Sequence, residues 1–249
     1  MGYFTVDLKP DFVASELQGS AFASGQVLFD WTPIQVPKGT VCLKSVVALV
    51  RAKGDATPTS NAFAFDLYFS KSNTNTLGPV NENSTSFPNN DYLGVVEMPT
   101  GSYATATFFP TAVATSIGGG GDGEQAATPI IMTPTESHSA GFDTLYVAAI
   151  AAGNFNFTTI NTIQTTEAAS ATIHCDGSSM DLREHFLPGD IIHTATTVGA
   201  ADADTLIGTV LTVDSATNIT LTDTAAVTHV DGTLIMNINP IRIRLGFEN

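Results

Sequence analysis

Residues 62–70 read AFAFDLYFS, with Phe63, Phe65, Leu67 and Phe69 at every second position. A period of two puts all four on one face of an extended strand, whereas a helix would scatter them around its axis. Weaker alternation recurs in 26–31, and 40–52 is a long run rich in Val. In the tail 239–247, Ile241, Ile243 and Leu245 fall on one face while Arg242 and Arg244 fall on the other. No comparable helical period is present. Thr, Ala, Val, Ile, Asn and Gly fill the chain, and only 13% of residues are charged, against roughly 25% in ordinary globular proteins. The reading is an all-β protein whose surface is hydroxyl and amide rather than ionic.

A chain of 249 residues holds one large β domain or two smaller ones. The net charge is −15, and no Lys or Arg occurs between Lys71 and Arg183, while Glu82, Asp91, Glu97, Asp122, Glu124, Glu136 and Asp143 all do. Such a surface repels nucleic acid, so no nucleic-acid partner is expected. The opening MGYFTVDLKPDF has no basic run followed by an apolar core, so no secretory signal is expected and the chain reads as made in a cytoplasm. The apolar stretches 42–50 and 146–152 are too short to span a bilayer as helices, and no membrane partner is expected. Cys42 and Cys175 form no CxxC pair. Between one long-range disulfide and two unpaired buried thiols, the second is the expectation.

The first twenty-five residues read as an arm or an edge strand. Strands are expected at 26–31, 40–52, 62–70, 92–98, 102–109, 130–133 and 144–151, the last aliphatic enough to be buried on both faces. Polar loops are expected at 71–91 and 112–128, the latter around the GGGGDG of Gly118–Gly123. From about residue 160 the texture changes. A linker-like run at 161–170 precedes Phe186-Leu187-Pro188-Gly189-Asp190 and short strands at 191–194, 206–213 and 218–222, with a turn at Asp214–Thr217. That spacing suits a small five- or six-stranded barrel. Because 239–247 is written like the first half, the expected organisation is a β-sandwich, jelly-roll-like, over 1–160, completed by a C-terminal strand in 237–249. Residues 161–236 are then an inserted β-barrel module, and a chain ending near Ala152 is expected to fold poorly.

His174, Cys175, His185 and His193 fall within twenty residues of each other, but adjacent His174 and Cys175 project to opposite faces of a strand, and the spacings match no closed zinc site. Asp122-Gly123-Glu124 and Asp202-Ala203-Asp204 lack the spaced acids of a calcium loop and read as solvated turns. GGGGDG lacks the Lys-Ser/Thr and the following helix of a phosphate-binding loop. Ser137-His138-Ser139 sits in a polar loop, and no GxSxG is present. The one Trp, Trp31, reads as core, which removes the obvious platform of a sugar-cleaving cleft. Asn83-Ser84-Thr85, Asn156-Phe157-Thr158 and Asn218-Ile219-Thr220 match the glycosylation sequon by chance in a chain this rich in Asn and Thr. The expectation is therefore no catalytic, cofactor-binding or metal-binding residue, and no enzyme.

The stretch LFDWTPIQVPKGTVCLKSVVALVRAKG (28–54), followed by FAFDLYFSKS (63–72) and YLGVV (92–96), resembles virion structural proteins of tailed phages, especially those infecting marine bacteria and cyanobacteria. PGDIIHTATTVG (188–199) and DTLIGTVLTVDSATNITLTDTAAV (204–227) are similar to a small β module of phage head and tail proteins. The two stretches touch about half of the chain. The resemblance implies a non-enzymatic coat accessory: a capsid decoration protein bound in many copies to the outer face of a phage head, homo-oligomeric, with the major capsid protein or other virion proteins as partners and the virion as location. It carries over no functional residue. The 71–91 and 112–128 loops are the candidate contact elements. The competing expectation is a tail-associated or cell-surface adhesin for host polysaccharide, which should show clustered exposed aromatics.

Overall fold

In the computed structural model the described residues are 2–12, 17, 21–52, 60–84, 90–104, 111–116, 130–135, 141–157, 161–164, 170–176, 181–195, 205–225, 228 and 230–249. The strands number β1 Tyr3–Leu8, β2 Val27–Pro37, β3 Val41–Val50, β4 Phe65–Ser70, β5 Tyr92–Met98, β6 Ala112–Ser116, β7 Ile130–Met132 and β8 Phe142–Ala151. They continue with β9 Asn161–Thr162, β10 Thr172–His174, β11 Ile191–Ala195, β12 Thr205–Val213, β13 Asn218–Leu221, β14 Leu234–Asn237 and β15 Ile241–Glu248. One helical turn, α1 Leu182–His185, precedes β11.

Two sheets form a sandwich. One has the order β1-β15-β3-β6, with β7 pairing the start of β3; the other has the order β2-β8-β4-β5. The chain changes sheet at every connection except β4–β5 and β6–β7, and β6 and β7 together act as one interrupted strand along β3. First beside last and second beside next-to-last is the winding of an eight-stranded jelly roll. The core lies between the sheets. Phe65, Leu67 and Phe69 meet Val41, Leu43, Val46 and Ala48 from β3 and Ile241, Ile243, Leu245 and Phe247 from β15, all buried. β2 runs straight through Pro33 instead of breaking there. It is an edge strand, so the missing N–H takes no ladder bond away from the interior.

The remaining strands make a sheet of order β10-β13-β12-β11-β14-β9. It closes on itself through an antiparallel bridge between Ile163 and Cys175, with Gln164 N–H donating to His174 C=O at 2.9 Å and Asp176 N–H to Thr162 C=O at 2.8 Å. This small barrel has its own core of Ile163, Ile173, Leu182, Phe186, Ile192, Ile207, Val210, Ile219, Leu221 and Ile235. Its first and last strands pair, Leu234 with Thr162 and Ile235 with Asn161. The start of the expected 161–170 linker is therefore a barrel strand: β9 is only two residues long and too short to show a period.

Other expectations shift in the same way. Thr100–Ser102 is a 3₁₀ turn and Tyr103 bridges Ala114, where a strand was expected from 102; residues 105–110 lie outside the described ones. Ala112–Ser116, expected as loop, is β6. Leu77, inside the expected polar loop 71–91, is fully buried.

Strand direction polarises the sandwich. The connections after β1, β3, β5 and β8 leave from one end, and the barrel sits in the last of these. Phe22 stacks on Phe155 with ring centroids 4.8 Å apart, and Phe12, Phe63 and Phe157 join them to plug that end. The opposite end has the short turn after β2, where Gly39, with φ of 97°, donates its N–H to Asp143 Oδ2 at 3.0 Å.

Candidate interaction surface

The outer face of the β2-β8-β4-β5 sheet carries the most unusual group of side chains. Because Phe65, Leu67 and Phe69 point inward, the pleat turns Asp66 and Tyr68 outward. Trp31 from β2 and Tyr92 from β5 lie on the same side. Trp31 and Tyr92 have ring centroids 5.8 Å apart, and Tyr68 and Tyr92 meet edge-to-face at 6.3 Å. Tyr146, half-buried, packs against this group with Val27, Ala148, Ile150 and Leu77. Trp31 is core-like in burial, 8% exposed, but it belongs to this outer layer and not to the sandwich core. Its indole Nε1 is buried without a hydrogen-bond partner.

The segment after β4 folds back over this layer. Leu77 N–H donates to Asp30 Oδ1 at 3.0 Å, Asn81 N–H donates to Val27 C=O at 2.9 Å, and Asn90 exchanges hydrogen bonds with the Asn75 backbone at 2.9 and 3.1 Å. The expected contact loop is thus tied down over 71–84. Beside it opens a groove of about 350 Å³ lined by Ser24, Gly25, Asp66, Tyr68, Ser84, Ile150, Ala151 and Ala152. Asp66 stands opposite Glu97 across the β4–β5 ladder. Burial, and then the Glu97 charge, push the Asp66 carboxyl above its usual range. No strand of this sheet contains a Lys or Arg.

The other sheet is different. Lys9, Lys44, Arg51, Arg242 and Arg244, five of the nine cationic side chains, lie on or beside it. Arg244 binds Asp7 at 2.6 and 2.9 Å and Lys44 binds Glu248 at 2.6 Å, which holds both carboxyls below their ordinary range. The sequence's uneven charge therefore becomes an uneven pair of faces.

Between sandwich and barrel sits a buried polar joint. The turn Leu187-Pro188-Gly189-Asp190 has Pro at its second position, Gly189 at φ of 81° and Asp190 N–H donating to Leu187 C=O at 3.0 Å, the type II pattern. It delivers Asp190, with no exposed surface, to Arg51 Nη2 at 3.4 Å, Arg242 Nε at 3.1 Å and Asn237 Nδ2 at 2.9 Å, with Arg242 Nη2 also in contact. Asn239 continues the network, donating to Pro10 C=O at 3.2 Å and accepting from Ile191 N–H at 3.0 Å. His185 is buried next to it. Burial, then the Arg51 charge, hold its ring down to about 3, so it stays neutral.

The histidines and cysteines singled out by sequence do not converge. His185 is in this joint, His174 and His193 lie on β10 and β11, and Cys175 is in the barrel core, where burial pushes its thiol up to about 12. Cys42 is half-exposed on β3, and both thiols are free. Among the described residues no three of His, Cys, Asp and Glu come together as metal ligands, and no helix is long and apolar enough to cross a membrane. Asp122, Gly118–Gly121, Glu124, Ser137, His138, Asp202 and Asp204 lie outside the described residues. Sequence reasoning missed the aromatic layer and the joint. Each is assembled from strands far apart in the chain, and only single members, Tyr68 of the layer and Arg242 of the joint, sit in segments whose facing was read from the period of two.

No family model matches the chain, and no curated protein matches it. Among solved structures it is similar to the VP2 subviral particle of infectious bursal disease virus, at 10% identity and a TM-score of 0.16 over 99% of this chain. It spans 41% of the length of that VP2 chain. It is also similar to the STIV MCP, at 10% identity and a TM-score of 0.14, covering 99% of this chain and 96% of that one.

Proposed function

We propose that this chain is a non-enzymatic virion structural protein, a decoration protein held in many copies on the outer face of a tailed-phage head. The observation that carries the reading is the polarity of the jelly roll. At the end away from the barrel, Tyr3 is 75% exposed, Ile131 70% and Phe142 49%, on strands whose registers bring them to that same end. Tyr3 and Ile131 project from the outer face of one sheet and Phe142 from that of the other, so the three give this end an apolar rim, which we read as the contact surface, while the barrel occupies the other end. Binding to a repeating shell spreads modest contacts over many copies, so that avidity supplies retention. An acidic chain suits the outside of a particle whose packaged genome is polyanionic. In this reading residues 161–236 are an inserted module and the partners are shell proteins or other copies of this chain.

The aromatic layer beside the groove favours one second reading, an adhesin for host polysaccharide. Mixing purified chain with density-purified particles separates the two. Co-sedimentation that saturates at a fixed ratio, and that weakens when Tyr3 and Ile131 are replaced by Ser, supports the coat reading. Retention on immobilised host polysaccharide without co-sedimentation supports the adhesin.

A further inference from the structure

We propose that the groove between the β4–β8 face and the folded-back segment binds the end of a neutral saccharide chain. The inference goes beyond placement on a particle and does not depend on it.

Its lining is mixed and specific. Tyr68 supplies an aromatic wall, Ile150 and Ala152 supply apolar surface, and Asp66 supplies a carboxylate that only accepts hydrogen bonds. Ser84 adds a hydroxyl whose Oγ is buried with no hydrogen-bond partner among the described residues. The rim is built firmly: Gly25 N–H donates to Ala151 C=O at 2.7 Å and Ser84 N–H donates to Gly25 C=O at 3.2 Å. Gly25, with φ of 89°, has nothing within 4 Å of where a Cβ would stand, so the mouth is open above it. About 350 Å³ is at the lower end for small-molecule sites, roughly 300–1,000 Å³, and that suits a chain end.

Charge narrows the occupant. Among the described residues no Lys or Arg lines the groove, so a phosphate, a sulfate or an acidic sugar finds no counter-charge there beside Asp66. A calcium ion draws six to eight oxygen ligands, and one lining carboxylate falls short of that. A neutral sugar ring presents C–H groups on a face, which pack on Tyr68, and hydroxyls around its edge. One hydroxyl donates to Asp66 and another exchanges a hydrogen bond with Ser84. Donors at Asp66 also relieve the like-charge opposition with Glu97 across the ladder.

The test titrates the full chain with neutral gluco-, manno- and galacto-oligosaccharides and follows its amide NMR shifts. At least one series should shift amides at Asp66, Tyr68 and Ser84 while leaving the barrel unmoved. Asp66→Asn should weaken that binding about tenfold or more, the scale of a hydrogen bond to a charged acceptor. Tyr68→Leu, which keeps an apolar side chain but removes the ring face, should weaken it comparably, with both variants melting as the parent does. Absence of any response to tens of millimolar sugar overturns the proposal, as does binding indifferent to both variants. So does a response to spermidine alone, which would make the groove a cation site. Particle co-sedimentation reads the coat function separately, so either idea fails without the other.

Discussion

Asp190 joins the two halves of the chain chemically. Its carboxylate, without exposed surface, answers a nearly buried Arg51 and a partly buried Arg242. Asp190→Asn should cost about 3–5 kcal/mol, because it leaves a buried guanidinium without its counter-charge; urea unfolding measures it, and a loss below about 1 kcal/mol would contradict the joint as described. His185 gives the same joint a pH signature. The unfolded ring takes up a proton below about pH 6.5, whereas the folded ring resists until about 3. The unfolded state then binds more protons, so this contribution to stability is complete above about pH 6.5 and falls as the pH drops toward 3. His185→Gln should flatten the decline between about pH 6.5 and 5, where carboxylates hardly titrate; urea midpoints across that range that stay parallel to the parent's would refute it. The turn that carries Asp190 is legible in Leu187-Pro188-Gly189-Asp190. Its partners are not, since Arg51 lies 139 residues away and Arg242 52, and no local pattern encodes a charge pair at that distance.

Among the elements, those with one face buried and one wet were readable, because alternation survives only there. β4 and β15 fall where the period of two put them, and β3 and β5 fall in segments expected as strands. β9 and β10 have two and three residues, too few to establish a period, and β14 is buried along its whole length, so it does not alternate. β15 lies between β1 and β3, which makes the C-terminus central to a sheet begun at the N-terminus. The barrel's closure and the pairing of its two ends support treating it as a unit. Residues 161–237 expressed alone should therefore unfold in one cooperative urea transition, with Asp190 solvated where the joint had been. A gradual, non-cooperative loss of structure would contradict an inserted module.

Across the whole molecule the two ends of the sandwich and its two outer faces differ in character. In the proposed function the end carrying Tyr3, Ile131 and Phe142 would meet the shell, with the barrel at the other end, and the cation-free sheet face offers a groove. The jelly roll was legible as a sandwich from strand patterns. The charge asymmetry of its faces was legible only as a cation-free run between Lys71 and Arg183, because folding decides which strands share a sheet. Aromatic side chains also cluster on the cation-free face, one from each of the four strands of that sheet, but Trp31 is buried and Tyr68 and Tyr146 are half-buried, so they are not the exposed cluster expected of an adhesin. The most direct measurement of the central claim is the copy number of this chain, against the major shell protein, in density-purified particles by quantitative mass spectrometry. A number comparable to the shell protein's is the predicted result; a handful of copies per particle, or none, would contradict it.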